Sequence, residues 1–138
     1  LGTSTQLRIG ARAAEVQRLY PWLDAAIAAL PQQLRNDMQV ALEEAVMNVA
    51  FHAYAPEEPG EVQIALTLGE AEAVLVVEDA GRAFDPVAAP PGKKPESLES
   101  AQPGGLGLVL MRHHCRALEY ERRDGHNRLT LRFAVTRD

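Results

Sequence analysis

Glu44 and Asn48 stand four residues apart in the segment ALEEAVMNVAFHAY. Four residues is about one helical turn, so the two side chains would face the same way. With Glu44 set at zero on a helical wheel, Leu34, Met38, Ala41, Leu42, Ala45 and Val49 fall between about 60° and 160°. Glu44 and Asn48 then lie at the edge of an apolar stripe. A partly desolvated carboxylate there suits a general base, with its pKa drawn toward neutrality. An amide oxygen one turn away suits a hard cation such as Mg²⁺. Taken alone, a Glu and an Asn at a helix boundary are more often simply solvated.

Two further segments carry chemistry. In VVEDAGRAFDP an apolar run ends in Asp79, with Gly81 two residues on. A carboxylate at a strand end can accept a hydrogen bond from an exocyclic amine, as an adenine base offers. Gly81 permits close approach or a positive φ. Without companions, Asp-x-Gly is more often a ligand-free turn. In PGGLGLVLMR, Gly104, Gly105 and Gly107 lead into an apolar helix, an arrangement whose N–H groups and dipole favour phosphate. A flexible helix start explains those glycines nearly as well. The segment lacks the Gly-Lys-Ser/Thr of a P-loop and the context of a dinucleotide fingerprint.

The elements that must position these residues follow from periodicity. Gln6 to Ile9 reads as an opening strand. Ala11 to Leu30 reads as a helix interrupted near Pro21. A second helix runs from Pro31 to about Tyr54, stopped by Pro56 and Pro59. Val62 to Leu68 alternates, and a turn at Gly69-Glu70 joins it to the apolar run Ala73 to Val77. Leu106 to Cys115 reads as a helix. Leu118 to Arg122 and Leu129 to Val135 read as strands joined through Asp124-Gly125, a strong hairpin signal. The order predicts an α/β (α+β) two-layer sandwich: one mixed, largely antiparallel sheet with helices on one face.

Composition narrows the function classes. A chain of 138 residues allows one domain, read here over residues 1–138. Net charge −5 and pI ≈ 5.4 argue against a nucleic-acid surface, and Lys93-Lys94 and Arg122-Arg123 are too short to reverse that. The single cysteine, Cys115, excludes an intrachain disulfide and fits a reducing, cytoplasmic compartment. No apolar stretch approaches the roughly 20 residues of a membrane helix. The chain starts at Leu1 rather than Met, which leaves open a piece of a longer protein. Five of the ten glycines and five of the nine prolines fall between Gly81 and Gly107, so turn-making is concentrated in a segment longer than ordinary connections. His52 reads as a structural residue at the helix end.

In order and spacing the three segments resemble the N, G1 and G2 boxes of the ATP-binding (Bergerat-type) fold of the GHKL superfamily, which includes gyrase and histidine kinases. Within it the chain is similar to the anti-sigma-factor serine/threonine kinases of the RsbW and SpoIIAB type, over nearly its whole length. The resemblance implies that Glu44 activates the attacking hydroxyl, that Asn48 binds Mg²⁺, and that Asp79 reads adenine with Gly81 beside it. It implies that Gly104, Gly105 and Gly107 wrap the phosphates of ATP or ADP, with 86–103 as the lid. Phe84, Leu106 and Leu108, inside the same boxes, join the cofactor-binding set, and Thr130 supports the adenine pocket. The implied partners are a STAS-type anti-anti-sigma protein and a sigma factor, with no nucleic acid and no membrane. Dimerisation is common in that family but is not written in these residues.

Two departures stand out. Ala83 replaces the second glycine common in the wider superfamily, and no phosphoacceptor-histidine helix pair lies upstream. Two other readings use the same residues: a non-catalytic nucleotide-binding module that sequesters a partner, and the ATPase domain of a larger signalling protein. Whether Lys93 and Lys94 meet phosphate is open at this level.

Overall fold

Segments that alternate between inward apolar and outward polar residues pair into one antiparallel sheet in the computed structural model, which describes residues 3–55, 58–85, 111 and 113–135. Its strands are β1 (Thr3–Gly10), β2 (Glu61–Leu68), β3 (Glu72–Asp79), β4 (Ala117–Arg123) and β5 (His126–Ala134), in the spatial order β1-β2-β3-β5-β4. All four pairings among the described residues are antiparallel. The last hairpin therefore inserts its second strand beside β3 and leaves β4 at the edge.

The two turns follow from local chemistry. Gly69 N–H donates to the Glu72 carbonyl at 2.8 Å and closes the β2–β3 hairpin. Asp124 and Gly125 adopt φ values of 53° and 79°. Two left-handed residues match the twist of a tight hairpin, and an Asp-Gly pair tolerates them.

A 3₁₀ turn over Ala13–Arg18 precedes α1 (Leu19–Ala26). Pro21 thus falls in the first turn of α1, where a missing N–H costs nothing. The interruption expected near Pro21 is met by that 3₁₀ turn. Pro31, with φ −57°, caps α2 (Gln32–Asn48), and its carbonyl accepts the Arg35 N–H at 3.0 Å. The helix expected to reach Tyr54 keeps α geometry to Asn48 and then widens into one π turn over Val49–Ala53. Of the expected helix from Leu106 to Cys115, residues 111, 113 and 114 are described and helical.

The helices cover one face. Met38, Ala41, Leu42, Ala45 and Val46 of α2 are fully buried against inward residues such as Ile64, Leu75, Val77, Leu131 and Phe133. The other face is mixed, with Ala65, Val74 and Val76 set among polar residues such as Gln63, Thr67, Glu72 and Thr130. There Arg132 bridges Glu72 at 3.1 Å and also binds Glu119. Among the described residues, no helix is long and apolar enough to cross a membrane.

Tyr54 joins the segment before β2 to the end of β3. Its hydroxyl accepts the Ala80 N–H at 3.0 Å and donates to the Glu61 carbonyl at 3.2 Å. Its ring occupies the space a Cβ on residue 60 would need, which is why Gly60 stands there. Tyr54→Phe would leave a part-buried N–H without its acceptor. We expect a loss of about 1–3 kcal/mol, read as a lower midpoint in urea unfolding.

Candidate functional site

Strand alternation turns Asp79, the last residue of β3, toward the same side as Ala73, Leu75 and Val77, and it is only 4% exposed. The register places Asn127 of β5 directly opposite. Asp79 Oδ1 accepts the Gly81 N–H and the Asn127 Nδ2–H, each at 2.9 Å. Burial raises the Asp79 pKa above the ordinary aspartate value, while those two donors and the nearby Arg122 charge pull it back.

Asn127, 5% exposed, also donates from Nδ2 to the Arg82 carbonyl at 2.7 Å. Its Oδ1 accepts the Tyr120 hydroxyl at 2.5 Å, Arg122 Nη1 at 3.1 Å and the Phe84 N–H at 3.3 Å. Arg122 further donates to the Gly81 carbonyl at 2.7 Å. Side chains of the last hairpin thereby hold the turn after β3 at Asp79, Gly81, Arg82 and Phe84.

The same turn is pressed against the end of the α2 helix. A Cβ on Gly81 would stand 2.3 Å from the Ala53 carbonyl oxygen, which accepts the Arg82 N–H at 2.8 Å. Of the two reasons sequence offers for this glycine, close approach is the operative one. The π turn also presents His52, whose ring stacks on Phe84 with centroids 4.5 Å apart and planes 9° from parallel. Single π turns recur at functional sites because they shift the side chains that follow.

Asn48 is 3% exposed, deeper than the stripe edge where the wheel places it, and neither Oδ1 nor Nδ2 has a hydrogen-bond partner among the described residues. It shares with Asp79, Phe84, Tyr120, Asn127 and Leu129 the lining of a narrow cavity of ≈ 20 Å³. Glu44, one turn earlier on α2, lies outside that lining and is half-buried. Burial and, second, the neighbouring Glu43 charge raise its pKa.

The structure thus gathers Asn48, Asp79 and Phe84 around one cavity, with Gly81 in the adjoining turn and Glu44 a turn away on α2. Thr130 is not brought to it. Alternation puts Thr130 out of phase with the buried Leu129 and Leu131, on the sheet face away from the helices. The β5 residue that reaches the cavity is Asn127, and Tyr120 joins it from β4. Sequence held a signal for Asn127: a polar residue in phase with Leu129, Leu131 and Phe133. Gly104, Gly105, Leu106, Gly107, Leu108, Lys93, Lys94 and the segment 86–103 lie outside the described residues.

Elsewhere the chemistry is quieter. His114 Nδ1 sits 2.6 Å from Asp37 Oδ1 and ties the segment before β4 to α2. Burial, with help from Asp37, pushes the Cys115 thiol up to about 12, which makes it unreactive. Among the described residues no three His, Cys, Asp or Glu side chains gather as a metal site. A wider, open cleft of ≈ 1160 Å³ lies at the strand ends near Arg8, Glu15 and Glu61, where acids and arginines alternate.

Comparisons with known proteins agree with the fold. Residues 9–133 match the model of the histidine kinase-like ATPase domain. The serine/threonine-protein kinase BtrW of Bordetella bronchiseptica is 42% identical over 99 residues, covering 72% of this chain and 70% of BtrW. The serine-protein kinase RsbW of Oceanobacillus iheyensis is 33% identical over 80 residues, 55% of this chain. The chain spans about half the length of that relative (51%). Among solved structures, the RsbU and RsbW domains of Rv1364c from Mycobacterium tuberculosis superpose with a TM-score of 0.70 at 16% identity. That match covers 99% of this chain and 33% of the other. The histidine kinase domain of the Erythrobacter litoralis blue-light activated kinase EL346 gives 0.58 at 16% identity, covering 88% of this chain and 60% of that one. The chain belongs to the histidine kinase-like ATPase family. Within it, the chain is a kinase of the branch that includes BtrW and RsbW, as the sequence resemblance implies.

The raised carboxylate of Asp79 links the site to stability. A carboxyl whose folded pKa exceeds its unfolded one binds more protons folded, so its contribution falls as pH rises between the two values. The lower limit is the ordinary aspartate value of 3.8. Asp79→Asn removes that titration and keeps an oxygen for Gly81 and Asn127. Without nucleotide, wild type should therefore lose stability relative to Asp79→Asn as pH rises above about 4, measured by urea unfolding across pH.

Proposed function

We propose that the chain is a Mg²⁺-ATP-dependent protein-serine kinase that works by partner switching, phosphorylating a serine of a STAS-type anti-anti-sigma protein and holding a sigma factor in alternation. The observation that carries this reading is Asn48: a buried amide with no partner among the described residues, in the same cavity as a carboxylate held by donors. A buried polar group left unmatched costs about 1–3 kcal/mol, and a functional ligand is a reason to keep it.

Each residue then has a role. Asp79 spends Oδ1 on Gly81 and Asn127, and Oδ2 has no protein donor among the described residues. That oxygen accepts the exocyclic amine of adenine. Asn48 Oδ1 is a hard ligand of the kind Mg²⁺ takes, and nucleotide phosphates and water complete such shells. When bound, Mg²⁺ supplies neutralisation of charge on the transferring phosphoryl group. Glu44 accepts the proton of the substrate hydroxyl, and its raised pKa moves it toward the operating pH. Gly104, Gly105 and Gly107, with Leu106 and Leu108, wrap the phosphates, and 86–103 closes over them. Residues 1–138 act as one cytoplasmic domain.

The cavity of ≈ 20 Å³ holds about one water, so adenine needs it to widen, and Phe84, stacked on His52, is one of its walls.

Two measurements test the reading. With [γ-³²P]ATP, Mg²⁺ and the STAS-type protein encoded beside its gene, wild type should label a serine. Glu44→Gln should lower the rate by about 10²–10⁴-fold while nucleotide still binds. A module that only binds nucleotide would label nothing in either form. Separately, ADP with Mg²⁺ should raise the melting temperature of wild type and leave Asp79→Asn unchanged. Flat melting curves for wild type with both ATP and ADP would overturn the site assignment.

A further inference from the structure

We propose that Asn127 is the residue that orients Asp79 for an amine-bearing base, so that preference for adenine over hypoxanthine nucleotides resides in the cross-strand pair and not in Asp79 alone. The proposal rests on reading Asp79 as the adenine contact.

The argument begins with the amide itself. Oδ1 of Asn127 faces three donors: the Tyr120 hydroxyl, Arg122 Nη1 and the Phe84 N–H. Nδ2 faces two acceptors: Asp79 Oδ1 at 2.9 Å and the Arg82 carbonyl at 2.7 Å. Turning the amide over would set N–H groups against three donors and an oxygen against a carboxylate. The orientation is therefore chemically fixed. Both N–H groups are used inside the protein, so Asn127 acts through Asp79 and is a positioning residue.

Its effect on Asp79 is equally specific. Two donors meet on one carboxylate oxygen, one from Gly81 in the turn and one from Asn127 across the sheet. Together they fix the plane of the carboxylate and leave Oδ2 as the acceptor available to a ligand. An amine meets that acceptor favourably. The carbonyl of hypoxanthine would set acceptor against acceptor, a mismatch that hydrogen-bonding sites reject strongly. Without Asn127, Asp79 keeps only its local Gly81 contact and its carboxyl can rotate and take up a proton. A protonated carboxyl offers a donor as well as an acceptor and tolerates either base.

The test uses a matched pair. Asn127→Thr and Asn127→Val have the same shape and both suit a strand, but only the threonine hydroxyl can donate to Asp79. ADP and IDP affinities are measured by calorimetry for wild type and both variants across pH. We expect Asn127→Thr to stay within a few-fold of wild type for ADP. Asn127→Val should bind ADP about tenfold or more weakly, with little change for IDP, so that discrimination shrinks. Asn127→Val should also lose ADP affinity at a higher pH on acidification, because removing the donor raises the Asp79 pKa further. Equal affinities and pH profiles for the two variants, both matching wild type, would overturn the proposal. Should wild type itself fail to bind ADP, the reading of Asp79 falls and this inference with it.

If neither variant folds, wild type still decides. The ¹⁵N–¹H signals of the Asn127 side-chain amide should shift with ADP and titrate with the same apparent pKa as ADP affinity. Signals unmoved by both ADP and pH would refute the coupling.

Discussion

A carboxylate buried among aliphatic side chains must be met by donors or give up its charge, and most of the site follows from how Asp79 meets that condition. It ends a strand whose inward neighbours, Ala73, Leu75 and Val77, are almost fully buried. On one side its register partner is Val62, which offers nothing, and on the other it is Asn127, which offers an amide. The amide oxygen then has to be matched as well, and Tyr120, Arg122 and the Phe84 N–H meet it. One buried charge thus constrains residues on β4, on β5 and in the turn after β3. Networks of this kind stabilise only when every member is satisfied.

The end of α2 supplies a second constraint, a steric one. The turn carrying Gly81 packs so tightly on the Ala53 carbonyl that no side chain fits between them. Backbone hydrogen bonding at Arg82 locks the same contact. The helix bearing Glu44 and Asn48 and the strand bearing Asp79 are therefore fixed relative to each other through glycine. A larger residue would have to separate them, which would move Glu44 and Asn48 away from Asp79.

Much of this is legible in sequence, for identifiable reasons. Period-two alternation marks β2 and β5, a continuous apolar run marks β3, and Asp124-Gly125 marks the turn between β4 and β5 because few residue pairs accept two left-handed conformations. The helical spacing of Glu44 and Asn48 and the Asp79-x-Gly81 turn are local patterns, so both survive folding where sequence puts them. What is not legible depends on contacts distant in sequence. Asn48 is buried beyond its wheel position because the turn after β3 and the last hairpin close over it. The π turn leaves no periodic signature, since it lasts only from Val49 to Ala53. The resemblance points to Thr130 on β5, whereas strand phase points to Asn127. Counting by twos from Leu129 and Leu131 places Asn127 inward and Thr130 outward.

The wall formed by Phe84 shows how such a site can be both rigid and closed. Its backbone N–H is tied to Asn127, the same amide that holds Asp79, while its ring rests on His52. The backbone of the turn cannot move outward without breaking bonds that also position the carboxylate. The ring itself is half-buried, lines the cavity and stacks on His52, a contact worth about 0.5–1.5 kcal/mol. Rotating that ring breaks no hydrogen bond of the network, whereas shifting the turn breaks those at Gly81, Arg82 and Phe84. The Asp79 carboxylate can stay in place while space for a ligand is made beside it.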